Sequence, residues 1–273
     1  MKRITGCRPR APGVTLVEMI VVIAITGVIA AAVAMFIRRP VEGYFDAVRR
    51  AELTDIADTA LRRITRDLRS ALPNSVRVDA TGRFIEYVQT SGGGRYRAEP
   101  DSLGAGDILD FITPAGDQNF DVIGPMPVYA GGESVVIYNL TATGGASNAY
   151  VGDNREAIDV PATTAINVRL LAARLFPLAS PGKRFHVVQH AVTYGCNLAT
   201  GELRRYWSYG YVNPQQTPPG GGNNALLASN VTDCTFTYQE VNQRTGMVAL
   251  FLQVSRSGES VRLFQEAHVN NVP

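Results

Sequence analysis

The chain opens with one long run of apolar residues. Positions 14–37 read VTLVEMIVVIAITGVIAAAVAMFI, in which only Thr15, Glu18 and Thr26 are polar. As a helix rising 1.5 Å per residue, this stretch would span about 36 Å, more than the roughly 30 Å hydrocarbon core of a bilayer. The pattern therefore predicts a transmembrane helix over 14–37.

A basic segment precedes this run. Residues 1–13, MKRITGCRPRAPG, hold four basic side chains and no acidic one. Such a charge bias favours a cytoplasmic start and an exported remainder, although Arg38 and Arg39 beyond the run reduce the asymmetry. In an ordinary secretory signal the small cleavage residue follows the apolar region, whereas here Gly13 precedes it. Cleavage after Gly13 would remove a leader of residues 1–13 and leave the helix attached.

A second kind of processing signal lies inside the leader. Residues 4–7 read Ile-Thr-Gly-Cys, which resembles a bacterial lipoprotein cleavage box. Only three residues precede this box, so it lacks the apolar stretch that such a signal needs. We expect Cys7 to be lost with the leader.

Glu18 is the unusual residue of the apolar run. A carboxylate within a bilayer costs about 2.5–3.5 kcal/mol on insertion scales, so such an acid generally has a partner. Cleavage after Gly13 would give Val14 a free ammonium group four positions before Glu18, about one helical turn away. The amine, from the same subunit or a neighbour, could neutralise the carboxylate. The alternative is that Glu18 sits at the membrane interface.

The next segment changes to an amphipathic pattern. Within 38–72, apolar residues recur every three or four positions between Arg, Asp, Glu and Thr, which is typical of a helix with one buried face. Pro73 disfavours helical dihedrals in the residue before it and is expected to end the helix at 72. We predict one helix over 14–72, bent near Pro40.

Residues 73–273 alternate short β-type runs with turn clusters such as Pro218-Pro219-Gly220. The last two runs, joined through Ser257-Gly258, predict an antiparallel hairpin. The stretch 90–180 is expected to be long and irregular. The predicted fold is α+β: a long N-terminal helix packed on the antiparallel β-sheet of an exported globular head.

Composition and charge exclude or disfavour several classes of protein. The 273 residues are 45% apolar and 18% charged, which excludes a wholly disordered or collagen-like chain. A net charge of only +2 does not favour a nucleic-acid partner. Three histidines and three cysteines leave little material for a transition-metal or Cys/His catalytic site. No catalytic, cofactor or metal residue is assigned.

Candidate ligand sites are weak. The segment 117–121, DQNFD, begins like a calcium loop, but Val122 stands where Gly is needed and Val128 where Glu is needed, so a polar turn is the preferred interpretation. His186 and His190 are expected to be ordinary strand positions on one face.

Two clusters carry alternative interpretations. The aromatic run 206–211, YWSYGY, could stack on a sugar or a base, but alternating aromatics in a strand favour packing within the protein. Four arginines on the predicted helix could bind phosphate, but acidic residues interrupt them. We expect them on a solvated or subunit-facing side: Arg62, Arg63, Arg66 and Arg69.

Cys196 and Cys234 both fall in β-rich sequence. In an exported, oxidising environment two such cysteines tend to form a disulfide, which we predict here. Two free buried thiols are the alternative.

The residues Gly13-Val14-Thr15-Leu16-Val17-Glu18, followed by the apolar run, resemble the prepilin cleavage and methylation motif of type IV pilins and type II secretion pseudopilins. The resemblance implies cleavage between Gly13 and Val14 by a prepilin peptidase and methyltransferase, N-methylation of Val14, and a role for Glu18 in assembly. It also implies a single-pass protein of the bacterial inner membrane, with a periplasmic head that later joins a pilus at the cell surface. The partners would be other pilin subunits.

A second resemblance is narrower. Segments 62–78, 192–211, 231–238 and 256–273 look like MshO-type minor pilins of mannose-sensitive haemagglutinin (MSHA) pili, which implies a place in a priming or tip complex. The alternatives are a J-type pseudopilin of type II secretion, and a membrane-anchored exported adhesin or enzyme. No nucleophile motif or metal cluster favours the enzyme.

Overall fold

The computed structural model describes residues 13–273. Residues 1–12, which hold the leader up to Pro12 and include Cys7, and the side chain of Arg39 lie outside the described residues. The chain divides into two compact units, one ending at Ala51 and the other comprising Glu52–Pro273. Each is described here by itself.

A single helix, α1, spans Leu16–Leu68 and includes Pro40. The helix ends at Leu68, four residues before the predicted end at 72, so Pro73 is not what stops it. After Leu68 the backbone joins the sheet: the Leu72 amide donates to the Val88 carbonyl, and Ala71 forms a bridge with Gln89. Strand hydrogen bonds thus replace the last predicted helical turn.

Nine strands form the larger sheet, in which every pairing is antiparallel. They are β1 (Arg77–Val78), β2 (Phe84–Tyr96), β3 (Asp117–Ile123), β4 (Ser134–Ile137), β5 (Arg155–Ala157), β6 (Asn167–Arg174), β7 (Arg184–Asn197), β8 (Glu202–Trp207) and β9 (Asn223–Ser229). The main order is β5-β4-β7-β2-β3-β6, with β1 beside β2 and with β8 and β9 extending from β7.

The main path of this sheet closes on itself. Just after β5, Ile158 forms a bridge with Leu170 of β6, and the Asp159 amide donates to the Arg169 carbonyl at 2.9 Å. A short 3-10 helix, Val160–Ala162, follows this contact. A buried core of apolar side chains belongs to these six strands and their loops, including Tyr96, Phe120, Phe176, Phe185 and Val187. We call this part the closed sheet.

The closed sheet corrects one expectation from the sequence. Residues 90–180 were expected to be irregular, yet they contribute part of β2 and all of β3 to β6. Loops rich in Gly and Pro separate these strands, and β4 and β5 have only four and three residues, too few for a period-2 pattern to emerge.

The smaller sheet has three strands, β10 (Val231–Asn242), β11 (Thr245–Arg256) and β12 (Glu259–Asn270). Its hairpin pairs Arg256 with Glu259 across Ser257 and Gly258, whose φ angles are +52° and +86°. Two positive φ values fit the tight turn that suits twisted strands. The predicted hairpin is confirmed.

The C-terminal part of α1 packs against both sheets. Leu53, Ala57, Ala60, Ile64 and Leu68 are fully buried, at spacings of three and four that put them on one helix face. The same core receives side chains of β2, β7 and β8 from the larger sheet and of β10, β11 and β12 from the smaller one. A long apolar helix followed by an antiparallel β domain confirms the predicted α+β class.

A disulfide joins the two sheets within this core. Cys196 of β7 and Cys234 of β10 are bonded to each other, with their Cα atoms 6.5 Å apart. Both side chains are almost completely buried, so the bond lies inside the packed interior.

Candidate functional site

The start of α1 carries the predicted processing and assembly residues. Gly13, Val14 and Thr15 precede the helix, which begins at Leu16 rather than at Val14. Thr15 is the N-cap: its Oγ1 accepts a hydrogen bond from the Glu18 amide at 3.3 Å. A non-helical Val14 does not have the one-turn spacing to Glu18 that a helix over 14–18 would impose.

Glu18 occupies the third helical position, so Thr15-Leu16-Val17-Glu18 has the sequence of a capping box. Its negative charge lies in the first turn, where the helix dipole favours an acid by about 0.3–1 kcal/mol. The capping box was not predicted from the sequence, where Glu18 was considered only as a charge within the membrane. The Thr-x-x-Glu spacing is the signal from which it could have been predicted.

Up to Ile37, the first unit presents apolar side chains all round the helix. Every residue from Gly13 to Phe45 whose side chain is described is exposed, with Phe36 reaching 81%. The Thr26 hydroxyl is satisfied within the helix, because it donates to the Val22 carbonyl at 2.7 Å. A helix apolar on all faces is typical of a membrane span. This stretch is long and apolar enough to cross a bilayer.

The predicted arginine cluster is exposed to solvent at the end of α1 in the head, with Arg69 just after the last helical residue. Arg62, Arg63, Arg66 and Arg69 are all exposed, and Arg62 pairs with Asp58 at 2.7 Å. Asp67 lies 3.8 Å from Arg66 and also contacts the sheet. Asp67 accepts a hydrogen bond from the Tyr194 hydroxyl at 2.5 Å and lies 3.4 Å from Arg205, so it fastens the helix end to the sheet.

The aromatic run packs within the head. Trp207 contacts the helix-facing core, whereas Tyr209 and Tyr211 pack against a smaller core on the other side of the sheet. The Tyr209 hydroxyl donates to Glu86 Oε1 at 2.8 Å. Glu86 also forms a fully buried ion pair with Arg77 at 2.7 Å. Sequence reasoning missed this network, because its members are far apart in the chain.

The weak ligand sites receive no support as metal centres. Asp117–Asp121 lies in strand β3 and not in the expected polar turn, and Asp121 pairs with Arg97 at 3.2 Å. His186 and His190 are both in β7, opposite Gly93 and Gln89 respectively. Among residues 13–273, no group of three or more His, Cys, Asp or Glu side chains could hold a metal ion.

Comparison with known protein families finds a match at the beginning of the chain. Residues 8–34 match the prokaryotic N-terminal methylation motif, a stretch that includes Gly13, Val14 and Glu18. No curated protein and no solved structure matches the chain.

With the motif and the apolar helix at its start, the chain has a type IV pilin-like architecture. This combination supports a pilin-like or pseudopilin-like protein and points to a structural subunit rather than an enzyme. The motif implies processing by a prepilin peptidase and assembly with other pilins. The motif and the apolar helix together point to membrane anchoring at this end, and the head follows in the chain.

Proposed function

We propose that the protein is a minor pilin that is cleaved between Gly13 and Val14, methylated on Val14 and built into a type IV pilus. The match of residues 8–34 to the N-terminal methylation motif carries this proposal. The apolar part of α1, within 14–37, is consistent with it, because all its described side chains are exposed and such a surface needs lipid or other helices around it.

Glu18 is the proposed assembly residue. It is the only acid between Gly13 and Ile37, so it is costly to bury without a counter-charge. Cleavage would replace the Gly13–Val14 peptide bond by an ammonium group close to the start of α1. The ammonium group is unfavourable at the positive end of a helix dipole, and a first-turn carboxylate compensates it. One negative and one positive charge can then neutralise each other, within a subunit or between neighbours.

Mass spectrometry of the membrane-purified N-terminus tests the cleavage. We expect a mature chain that starts at N-methylated Val14, and complete loss of processing in Gly13→Lys. The matched control is Gly43→Lys, which changes an exposed glycine of α1 beyond the apolar run 14–37 and away from the junction. A mature-sized product from Gly13→Lys would show that the cut lies elsewhere.

The role of Glu18 is tested separately from cleavage. In Glu18→Ala, we expect normal leader removal but at least a tenfold loss of the protein from sheared filaments. Glu42→Ala is the control, because Glu42 is an exposed acid of the same helix that pairs with Arg38 at 2.9 Å. Filament incorporation at the wild-type level in Glu18→Ala would contradict the charge-pairing argument.

The finer assignment is an MSHA-type pilus, with the head exposed to the periplasm before assembly and the subunit in a priming or tip complex. The likeness of segments 62–78, 192–211, 231–238 and 256–273 to MshO-type minor pilins supports this assignment. Immunogold labelling of filaments tests it. Labels at filament ends are expected, whereas co-purification with a type II secretion complex and absence from filaments would favour the J-type pseudopilin.

A further inference from the structure

Two arginines stand directly opposite each other on the outer face of the closed sheet. Arg95 of β2 and Arg184 of β7 are cross-strand partners, and both are exposed. Like charges in this arrangement destabilise a sheet. Within residues 13–273, neither arginine takes part in an ion pair, whereas the neighbouring Lys183 pairs with Glu99 at 3.1 Å. The fold therefore retains an unneutralised double positive charge.

A cleft of about 440 Å³ lies beside this pair. Its lining includes Gly93, Arg95, Arg184 and His186, and no acidic residue contributes to it. Gly93 lets β2 and β7 approach closely at the cleft, since a Cβ there would come within 2.7 Å of the Phe185 carbonyl oxygen. No residue with a side chain fits this position without moving the backbone of β7.

His186 supplies a polar edge to the same space. Its Nδ1 lies 3.7 Å from the position that a Cβ on Gly93 would occupy, and its Nε2 is buried with no hydrogen-bond partner in the described chain. Burial and the nearby Arg184 lower the pKa of His186 to about 4, so the ring is neutral at pH 7. A neutral imidazole offers one donor and one acceptor.

We propose that this cleft binds the carboxylate group of an acidic saccharide. Guanidinium groups form paired hydrogen bonds with a planar carboxylate, and Arg95 and Arg184 have no ion pair with an acid of the described residues. The cleft volume falls within the range of about 300–1,000 Å³ that is typical of small-ligand sites. Ile123 and Pro125 border the opening and present apolar surface to the C–H face of a sugar ring.

Binding would also relieve the strain of the arginine pair. A carboxylate between the two guanidinium groups adds two attractions that offset their mutual repulsion, and solvent ions screen such exposed charges only in part. The proposed binding of a carboxylate does not rest on the proposed pilus function, because every residue that lines the cleft belongs to the head.

The full-length, processed protein in detergent micelles is the material for the test. Isothermal titration with a galacturonate trimer is compared with a neutral galactose trimer and with sodium sulfate. We expect the acidic trimer to bind at least tenfold more tightly than the neutral one. Arg95→Gln and Arg184→Gln should each weaken it at least tenfold, whereas Arg63→Gln, at an exposed position of α1, should leave it unchanged.

Folding of the variants is checked by thermal unfolding. Removing one of two like charges should leave the Tm of Arg95→Gln no lower than that of the wild type. Equal binding of the acidic and neutral trimers, or unchanged affinity in both cleft variants, would overturn the proposal. Sulfate that binds as tightly as the acidic trimer, and is lost in the same variants, would overturn the saccharide assignment.

Discussion

Single polar residues fix the turns of the head by satisfying several backbone groups at once. Asp79, between β1 and β2, shows this most clearly. Its carboxylate accepts hydrogen bonds from the amides of Thr81, Arg83 and Phe84, at 3.1, 2.9 and 2.8 Å. The Thr81 hydroxyl also donates to it. Burial alone would raise the pKa of Asp79, but these hydrogen bonds together hold it below its usual value.

Asp79→Asn should therefore lower stability at pH 7 by about 1 kcal/mol, a value reduced for partial exposure. A lowered folded pKa adds stability that is present above the unfolded pKa of about 4 and is lost as pH falls through the folded pKa. The variant should lose this pH dependence. Urea unfolding between pH 7 and pH 2.5 measures both effects, with Asp55→Asn, at an exposed site on α1, as the control. Equal pH profiles for wild type and Asp79→Asn would contradict the prediction.

At the scale of elements, the head depends on how its two sheets are held against α1. The helix contributes one apolar face, and the two sheets close over it. Within residues 13–273 no strand ladder joins the two sheets, which are connected by packing, the Cys196–Cys234 disulfide and a few backbone hydrogen bonds such as the one from the Phe236 amide to the Gly82 carbonyl at 2.7 Å.

Removing this disulfide should destabilise the head. The two cysteines are 38 positions apart, and closing a loop of this size contributes about 4 kcal/mol through chain entropy. We expect the double variant, Cys196→Ser with Cys234→Ser, to have a free energy of unfolding in urea that is about 2–5 kcal/mol lower than that of the wild type. As a matched test, the free energy of unfolding of the wild type is measured with and without reductant. A change below 1 kcal/mol in both experiments would show that packing and backbone hydrogen bonds hold the sheets together without the disulfide.

At the scale of the whole molecule, the two units have different requirements. The first is a helix with its apolar surface exposed, whereas Glu52–Pro273 contains its own buried cores. A membrane or other helices must cover the first unit, because exposed apolar area on this scale is unfavourable in water.

The second unit should therefore fold without the first. A variant that lacks residues 1–51 is expected to be soluble without detergent and to unfold in a single cooperative transition, followed by circular dichroism. Because Ile64 is fully buried, Ile64→Ala in that variant should cost about 2–5 kcal/mol, whereas the exposed Arg63→Ala should cost less than about 0.5 kcal/mol. A broad transition without cooperativity would show that the head needs residues before Glu52.

Local patterns were enough to identify several features from sequence. The apolar run 14–37, the buried helix positions and the Ser257-Gly258 hairpin each depend on residues close together in the chain. Periodicity and turn chemistry act over such short distances, so these features could be predicted. The processing motif is of the same kind, because Gly13, Val14 and Glu18 are neighbours.

Tertiary structure alone decided the features that join distant residues. The end of α1 at Leu68 depends on backbone groups of β2, and the closed sheet depends on a contact between β5 and β6. The Arg77–Glu86–Tyr209 network and the cleft at Arg95 and Arg184 likewise join separate segments. Their energies come from pairs whose register no local pattern specifies, since a strand's partner is chosen by the packing of the whole sheet.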